Sequence, residues 1–496
     1  MDPADYKYLV LGLIFLKFVS DNFLEQQQRI LEMVSDPESE YYLSEKSDHQ
    51  EALEERDYYT QANVFWVPHT ARWESIRNQA KQPEIGQIID QSLIAIENEN
   101  PRLKGILDKR FGLAQLEPGR MGELIDLIST IGFSEGQKAG DVLGDVYEYF
   151  LGEFASSEGK RRGQFYTPSS IVKTLVEVLS PHQGRVYDPC CGSGGMFVQS
   201  ERFVKSHGGK RDDISIYGQE SNPTTWKLAH MNVAIRGFAA DLGKEHADTF
   251  ARDQHIDQKF DYILANPPFN ISDWGGEKYD GDIRWKFGRP SPGNANYAWL
   301  QHILWKLSPD GKAGVVLANG SLSSDQNNEG EIRREMVLRE VVEVVLALPS
   351  QLFGRNFQGP VCIWFLTNNK SNIEGNIKGE TLFVDATKMG EMISRVERVL
   401  SDEEIAKIAD TVCSWRYGKE YKNIAGFCYK AKVEEIEKNS FVLTPGRYVG
   451  APEEDDDGEP FDKKMKRLTS LLIEQQEEGT KLDRQITENL KRIGYE

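Results

Sequence analysis

Between Lys160 and about Asn369, short apolar runs alternate with helical patterns, and this alternation limits the possible folds more than any other feature. The runs are Val186-Tyr187, Ile214 to Gly218, Tyr262 to Ala265, Gly314 to Ala318, Val341 to Leu348 and Val361 to Leu366. Runs rich in Val, Ile and Leu belong to strands buried on both faces, and the helices between them imply a mainly parallel sheet. The expectation is an α/β, Rossmann-like architecture.

The flanks read differently. Residues 1–158 are expected to form an N-terminal helical domain: Leu9, Leu13 and Leu16 share one face, and residues 123–128 and 141–151 carry similar patterns. Strand signals barely occur there, and the acidic, polar stretch from Ser35 to Asp57 is expected to be a loop. Residues 159–430 form the expected catalytic domain, with the pattern turning helical and polar beyond Gly390. In residues 431–496, an acidic run from Glu453 to Asp457 reads as a solvated linker. After it Met465, Leu468, Leu472, Leu482, Ile486, Leu490 and Ile493 fall mostly at three- and four-residue steps, interrupted by Gly479. This is one amphipathic helix or two. Packing on its own chain explains the stripe, and so does a partner helix; the position after an acidic linker favours the partner.

The 496 residues suffice for about three domains. A net charge of -19 argues against coating nucleic acid unaided, although a local basic patch or basic partner can supply the field. The five cysteines include no CxxC pair, so neither a zinc site nor a disulfide framework is expected, and reduced thiols fit a cytoplasmic protein. The N-terminal apolar run from Tyr8 to Leu16 is too short to span a bilayer, and Asp2 and Asp5 precede it where a signal peptide wants positive charge. Neither export nor a membrane anchor is expected.

Asp188-Pro189-Cys190-Cys191-Gly192-Ser193-Gly194 is a glycine-rich turn between a strand and the helix expected over Met196 to Phe203. Glycine lets the backbone approach a ligand closely, and a helix N-terminus offers free amides. Such a loop binds nucleotides of several kinds, and it lacks the GxGxxG spacing of dinucleotide sites. Glu220, closing the next strand, can accept both hydroxyls of a ribose. Asp248, placed near the end of the third strand region, can accept from an adenine amino group. Helix caps would equally explain Asp188 and Asp248, and a surface charge would explain Glu220. Their ordered recurrence at strand ends favours the cofactor reading.

The segment Asn266-Pro267-Pro268-Phe269 follows an apolar strand directly. Two prolines fix φ and remove two donors, leaving a rigid turn with outward carbonyls. An exocyclic amine is a poor nucleophile because its lone pair is delocalised into the ring. The Asn266 side-chain oxygen and the Pro267 carbonyl can each accept one N–H, freeing that lone pair to attack a sulfonium methyl, while Phe269 offers a stacking face. Adenine inside a duplex would have to be flipped out. No metal is required.

These segments resemble the modification subunits of type I restriction-modification enzymes, a family of class I, amino-methylating DNA methyltransferases, over nearly the whole chain. Gly163-Gln164-Phe165-Tyr166-Thr167-Pro168 is similar to the family's segment lining the cofactor pocket, which extends to Ser169. Asp188 to Gly195 matches its cofactor loop, with Cys190-Cys191 at a variable position. Glu220 matches its ribose-binding acid and Asn266 to Phe269 its catalytic motif. Distinctive of type I subunits are Arg284-Trp285-Lys286-Phe287-Gly288, Gly293 to Trp299, Leu348 to Phe353 and Leu443 to Tyr448. Asp5-Tyr6-Lys7-Tyr8 also resembles the family but lies closer to Met1 than the resemblance leads one to expect.

The resemblance implies S-adenosyl-L-methionine as cofactor and a flipped adenine of double-stranded DNA as substrate. Its implied partners are a specificity subunit that reads the sequence, a second modification subunit and a restriction subunit. The N-terminal helices would close over DNA and the C-terminal helices would pack on the specificity subunit. Lys160-Arg161-Arg162 fits a phosphate contact or a solvated charge cluster equally well. Three other readings are a glutamine-N5 protein methyltransferase, which usually carries Tyr where Phe269 stands, a silent DNA-binding subunit, and a nicotinamide-dependent oxidoreductase.

Overall fold

The computed structural model describes residues 3–113, 118–131, 146–147, 149–151, 167–237, 239–373, 377–418, 420–451 and 461–492. Contacts group Met1–Gly450 into one unit and Ala451–Glu496 into a second.

The described part of residues 3–151 is helical, led by the long helix Pro3–Ser35 and followed by Ile85–Glu99 and Pro118–Ser129. Leu13, Phe15, Phe23, Ile89, Leu93 and Ile125 are buried together there. Leu228, Met231 and Ile235 of the helix Pro223–Arg236 join this core, so the N-terminal helices rest directly on an element of the sheet domain. The stretch expected to be a loop from Ser35 to Asp57 contains a helix, Lys46–Leu53, of which only Ala52 is buried. With only Ala52 and the half-buried Leu53 against the core, it carries almost no apolar periodicity.

Each of the six apolar runs is a strand, and the strand Glu380–Asp385 is found in addition to them. β1 is Gly184–Asp188, β2 Ile214–Gly218, β3 Ala240–Asp241, β4 Phe260–Ala265, β5 Leu307–Ala318, β6 Val342–Ala347, β7 Val361–Thr367 and β8 Glu380–Asp385. Beyond Gly390, where only helix was expected, a ribbon of β9 (Glu391–Met392) and β10 (Arg398–Val399) and a further strand, β11 (Cys428–Lys432), are found. β11 is a short edge strand whose Lys430 and Lys432 face solvent, which hides it from an apolar pattern.

The sheet runs β11-β8-β6-β7-β5-β4-β1-β2-β3. Five of its eight neighbouring pairs are parallel; β7 runs against β5 and β6, and β11 against β8. Every residue of β6 and β7 is buried, as continuous apolar runs require. Ile171, Leu175 and Phe197 cover one face, and Tyr297, Leu300 and Met336 the other. The chain winds outward from β1 to β3 and returns to β4 beside β1, with Val186 opposite Tyr262 and Tyr187 opposite Ile263. The carboxyl ends of β1 and β4 therefore open side by side, where ligands of such sheets bind.

Past β11 the first unit continues: Ile436, Leu443 and Tyr448 are buried, and Tyr448 stacks on Phe383 at 3.8 Å between ring centroids. In the second unit a single helix, Phe461–Arg492, runs straight through Gly479. One glycine costs about 0.5–1 kcal/mol relative to alanine, too little to break 32 residues of helix. Among the described residues no helix is long and apolar enough to cross a membrane.

Candidate active site

Asp188 ends β1 and is buried, and its Oδ1 accepts the Cys190 amide at 3.0 Å. The turn then passes through Gly192 (φ 54°) and Gly194 (φ 83°), conformations that favour glycine. A Cβ built on Gly192 meets nothing within 4 Å, so a side chain there would stand in the open mouth of the turn. Gly194 caps the helix Gly195–Ser206, one turn longer at its end than the sequence pattern implied. The turn is held from behind. The Cys191 amide donates to the Gln219 carbonyl at 2.9 Å, and Asn232 Nδ2 to the Ser193 carbonyl at 2.8 Å.

Glu220, half-buried, accepts the Gly192 amide on Oε2 at 3.1 Å and the Asn222 amide on Oε1 at 2.7 Å. Asn222 caps the next helix, with Pro223 in its first turn, so the cap fixes the acid in place. Ser221 Oγ also donates to Oε1, at 3.3 Å, so Oε2 is the oxygen that keeps a lone pair for a ligand. Burial pushes Asp188 up to about 7, opposed by the Cys190 amide and reinforced by Glu220; burial also raises Glu220. Among the described residues no ion pair neutralises either acid. The pair therefore suits a cationic ligand bearing hydroxyls, and S-adenosyl-L-methionine has that chemistry. The Cys190 and Cys191 thiols are driven well above their usual range, chiefly by burial, and stay protonated.

Asp248 stands well beyond β3, which ends at Asp241, and not at a strand end as the sequence suggested. Its Oδ1 accepts the Phe250 and Ala251 amides, both at 2.9 Å, so one oxygen serves as a local cap while the side chain stays exposed. Gln219, which the sequence reading missed, pulls this loop towards the cofactor turn: Nε2 donates to the Arg252 carbonyl at 2.8 Å and Oε1 accepts the Gln254 amide at 3.1 Å.

Asn266 follows β4 at once and is 9% exposed. Its Nδ2 donates to Thr167 Oγ1 at 3.0 Å, and its Oδ1 is buried without a hydrogen-bond partner among the described residues. A buried acceptor left unpaired costs about 1–3 kcal/mol, so a donor is owed to this position. Pro267 is buried and Pro268 half-buried. Phe269 is buried edge-on against Phe353 at 5.7 Å and Phe357 at 5.3 Å, so its ring is walled by two further aromatics rather than standing alone. Phe353 lies in a segment quoted above for the family; Phe357, half-buried, gave no signal.

Asn270 (φ 53°) closes the turn, exchanging hydrogen bonds with Asn296: its amide donates to Asn296 Oδ1 at 3.0 Å and its Oδ1 accepts Asn296 Nδ2 at 2.8 Å. Arg284 lies against the rings of Phe250, Tyr279 and Trp285 and donates to the Phe250 carbonyl at 3.0 Å. The family-like segments around Arg284 and Asn296 thus brace the loops that carry Asp248 and Asn266.

Thr167 and Pro168 directly precede the helix Ser169–Leu179, whose exposed first residue is Ser169. Gln164, Phe165, Tyr166 and the basic Lys160-Arg161-Arg162 lie outside the described residues. Among the described residues no cluster of His, Cys, Asp or Glu could hold a metal ion.

The sheet order and the loops at the carboxyl ends of β1 and β4 are those of a class I methyltransferase. A family model described as N-6 DNA Methylase matches residues 138–457, and one described as HsdM N-terminal domain matches residues 1–128. The HindI methylase subunit of a type I restriction enzyme from Haemophilus influenzae is 49% identical over 450 residues, spanning 87% of this chain and 100% of that protein. The MjaIX methylase subunit from Methanocaldococcus jannaschii is 39% identical over 504 residues, spanning 100% of this chain and 89% of that one. The crystal structure of a type I restriction-modification methyltransferase subunit from Streptococcus thermophilus superposes with a TM-score of 0.74 at 25% identity, covering 90% of this chain and 96% of that one. The chain belongs to the type I restriction-modification methylase subunits, within the N-6 DNA methylase family.

Proposed function

We propose that this chain transfers the methyl group of S-adenosyl-L-methionine to N6 of an adenine flipped out of double-stranded DNA. The observation that carries the reading is the buried Oδ1 of Asn266 at the carboxyl end of β4, which has no hydrogen-bond partner among the described residues. When bound, the cofactor would supply a methyl on a cationic sulfur that keeps the S–C electron pair, and the proton displaced from the methylated nitrogen would leave to solvent. Asn266 Oδ1 and the Pro267 carbonyl accept the two amine hydrogens and draw the nitrogen lone pair out of conjugation. Phe269, with Phe353 and Phe357, excludes water from the amine. Glu220 and Asp188 hold the donor, with the Gly192 to Gly194 backbone beneath; Gln164 to Tyr166, Pro168, Ser169, Cys190, Cys191 and Asp248 are proposed to complete that pocket, while the Thr167 hydroxyl is taken by Asn266.

In this reading residues 1–158 are the N-terminal helical domain and 159–430 the catalytic domain. Residues 431–496 make the subunit contact through the helix Phe461–Arg492. The partners proposed are a specificity subunit, a second modification subunit and a restriction subunit, in the cytoplasm. Sequence choice would reside on the specificity subunit, which accounts for an acidic chain acting on DNA.

The test is Asn266→Ala in the assembled methylase, with methylated adenines mapped and cofactor affinity titrated. Turnover should fall by about a thousandfold, as for loss of a principal polar group acting at the transition state, with cofactor affinity preserved. A variant that methylates at the parental rate would remove Asn266 from the chemistry. Labelled methyl appearing on protein instead of DNA would redirect the reading to a glutamine acceptor.

A further inference from the structure

We propose that Thr167 is a positioning residue for methyl transfer: its hydroxyl sets which way round the Asn266 amide stands. The inference rests on the role of Asn266 proposed above and adds a second residue to it.

The two ends of an amide side chain have nearly the same shape, yet one accepts hydrogen bonds and the other donates two. An exocyclic amine presents N–H. Facing it with Oδ1 draws a proton away; turned over, the amide would set N–H against N–H and do nothing for the nitrogen. No covalent feature of asparagine chooses between these states, so a neighbour must. In this structure Asn266 Nδ2 is used by Thr167 Oγ1 at 3.0 Å, and Oδ1, in a buried setting, has no partner among the described residues. The donor end is spent and the acceptor end is kept for the amine.

Thr167 is well placed to impose that choice. It immediately precedes Pro168, whose carbonyl accepts the Ile171 amide at 3.0 Å and the Val172 amide at 3.1 Å, so the helix start is closed behind it. At the helix's far end the Val178 carbonyl is gripped by Arg416. The hydroxyl thus reaches Asn266 from a separate element, 99 residues earlier in the chain. Threonine adds a stiff χ1 to the anchored backbone.

The family resemblance implies a place for Thr167 in the cofactor pocket instead. The two roles separate in kinetics: losing a cofactor ligand weakens binding, whereas an amide free to turn lowers turnover at saturation. The assembled methylase, with its co-expressed partner subunits, is assayed on a duplex carrying its mapped target adenine. Turnover at saturating cofactor, KM for DNA and cofactor affinity are measured. A binding comparison is added between that duplex and one with purine, which lacks the amine, at the target.

Thr167→Val keeps the shape and removes the oxygen. We expect turnover to fall about tenfold, equivalent to losing one well-placed hydrogen bond, with cofactor affinity within about twofold. The preference for adenine over purine should shrink towards parity. Thr167→Ser restores an oxygen at the same distance and should recover most of the lost turnover.

Parental turnover in Thr167→Val overturns the proposal. So does a defect that saturating cofactor repairs, which would make Thr167 a cofactor ligand only, or a Thr167→Ser variant no better than Thr167→Val. If Asn266→Ala is inactive while Thr167→Val is unimpaired, this inference alone fails. If Asn266→Ala is itself active, the reading beneath it has failed.

Discussion

The Glu343 carboxylate and the Arg416 guanidinium form a two-pronged pair, Nε to Oε1 at 2.7 Å and Nη2 to Oε2 at 3.0 Å, with both side chains buried. Glu343 comes from β6 and Arg416 from the helix Asp402–Arg416, and Arg416 also donates to the Val178 carbonyl. The pair therefore joins three elements, one of which carries Thr167 at its start. Burial alone would push Glu343 up, but the charge and hydrogen bonds of Arg416, with Lys312 and Lys370 beyond, hold it below the usual carboxylate range.

Removing one partner strands the other charge in the core. Arg416→Ala or Glu343→Ala should each cost about 3–5 kcal/mol of stability, whereas Glu343→Leu with Arg416→Met should recover most of it. Because the folded pKa of Glu343 is depressed, its contribution is present above the unfolded value, near 4.5, and lost as pH falls through the folded value. Urea unfolding of the four proteins at neutral pH measures this. A double variant no better than the worse single would show that geometry, and not stranded charge, sets the cost.

The acids at the cofactor turn give the opposite pH dependence. Asp188 has its folded pKa raised to about 7, chiefly by burial, so it favours the free fold below its unfolded value near 3.8. That contribution is lost as pH rises through about 7. A cationic donor prefers the ionised acid, so cofactor affinity should tighten between pH 5.5 and 7, by at most about tenfold per unit. Asp188→Asn should bind more weakly and flatten the profile. Calorimetric titration across that range checks it, and an equally steep profile in Asp188→Asn would assign the proton elsewhere.

How far the sequence reveals this site follows from where each residue gets its partner. Asp188, Glu220 and Asn266 each end an apolar run before a turn, and strand periodicity alone marks such places. Side-chain direction is another matter. Asn232 reaches Ser193 across 39 residues, and Gln219 reaches Arg252 across 33, so neither stands out from its polar surroundings. Asp248 shows the same gap: its residue type fits a ligand acceptor and a cap alike, and only the fold reveals the two amides on Oδ1. The reversed β7 is equally silent, since a strand buried on both faces has the same composition in either direction. Short or half-polar elements, such as Lys46–Leu53 and β11, carry too few buried positions to form a pattern.

The reciprocal Asn270–Asn296 pair predicts a defect confined to the chemical step. Asn296→Ala would leave the exposed Asn270 amide to water and its Oδ1 with only the longer bond from Asn294 Nδ2 at 3.4 Å, a loss of about 1 kcal/mol. Asn270 follows Phe269 directly, so the turn at Asn266 would loosen, while the turn at Gly192, held by Gln219 and Asn232, keeps its own hydrogen bonds. Turnover should drop about tenfold, as misplacement of a reacting group does, with cofactor affinity unchanged. A stability loss without any change in turnover would reduce the pair to a structural brace.

The helix Phe461–Arg492 belongs to the second unit and exposes a long apolar series. Leu468 is 43% exposed, Leu472 53%, Leu482 52% and Ile486 56%. At roughly 25 cal/mol per Å² of apolar area, covering such a stripe with a partner helix would stabilise an assembly by several kcal/mol. Ending the chain at Asp457 should therefore leave cofactor binding and the melting of the catalytic unit intact. The concentration needed to form the complex with the specificity subunit should rise at least about tenfold, equivalent to some 1.4 kcal/mol. Leu472→Asp with Ile486→Asp should act in the same direction without shortening the chain, because burying two carboxylates in a helix interface is costly. Analytical ultracentrifugation of the mixed subunits reads both, and assembly at the parental concentration by the truncated chain would place the contact on the first unit instead.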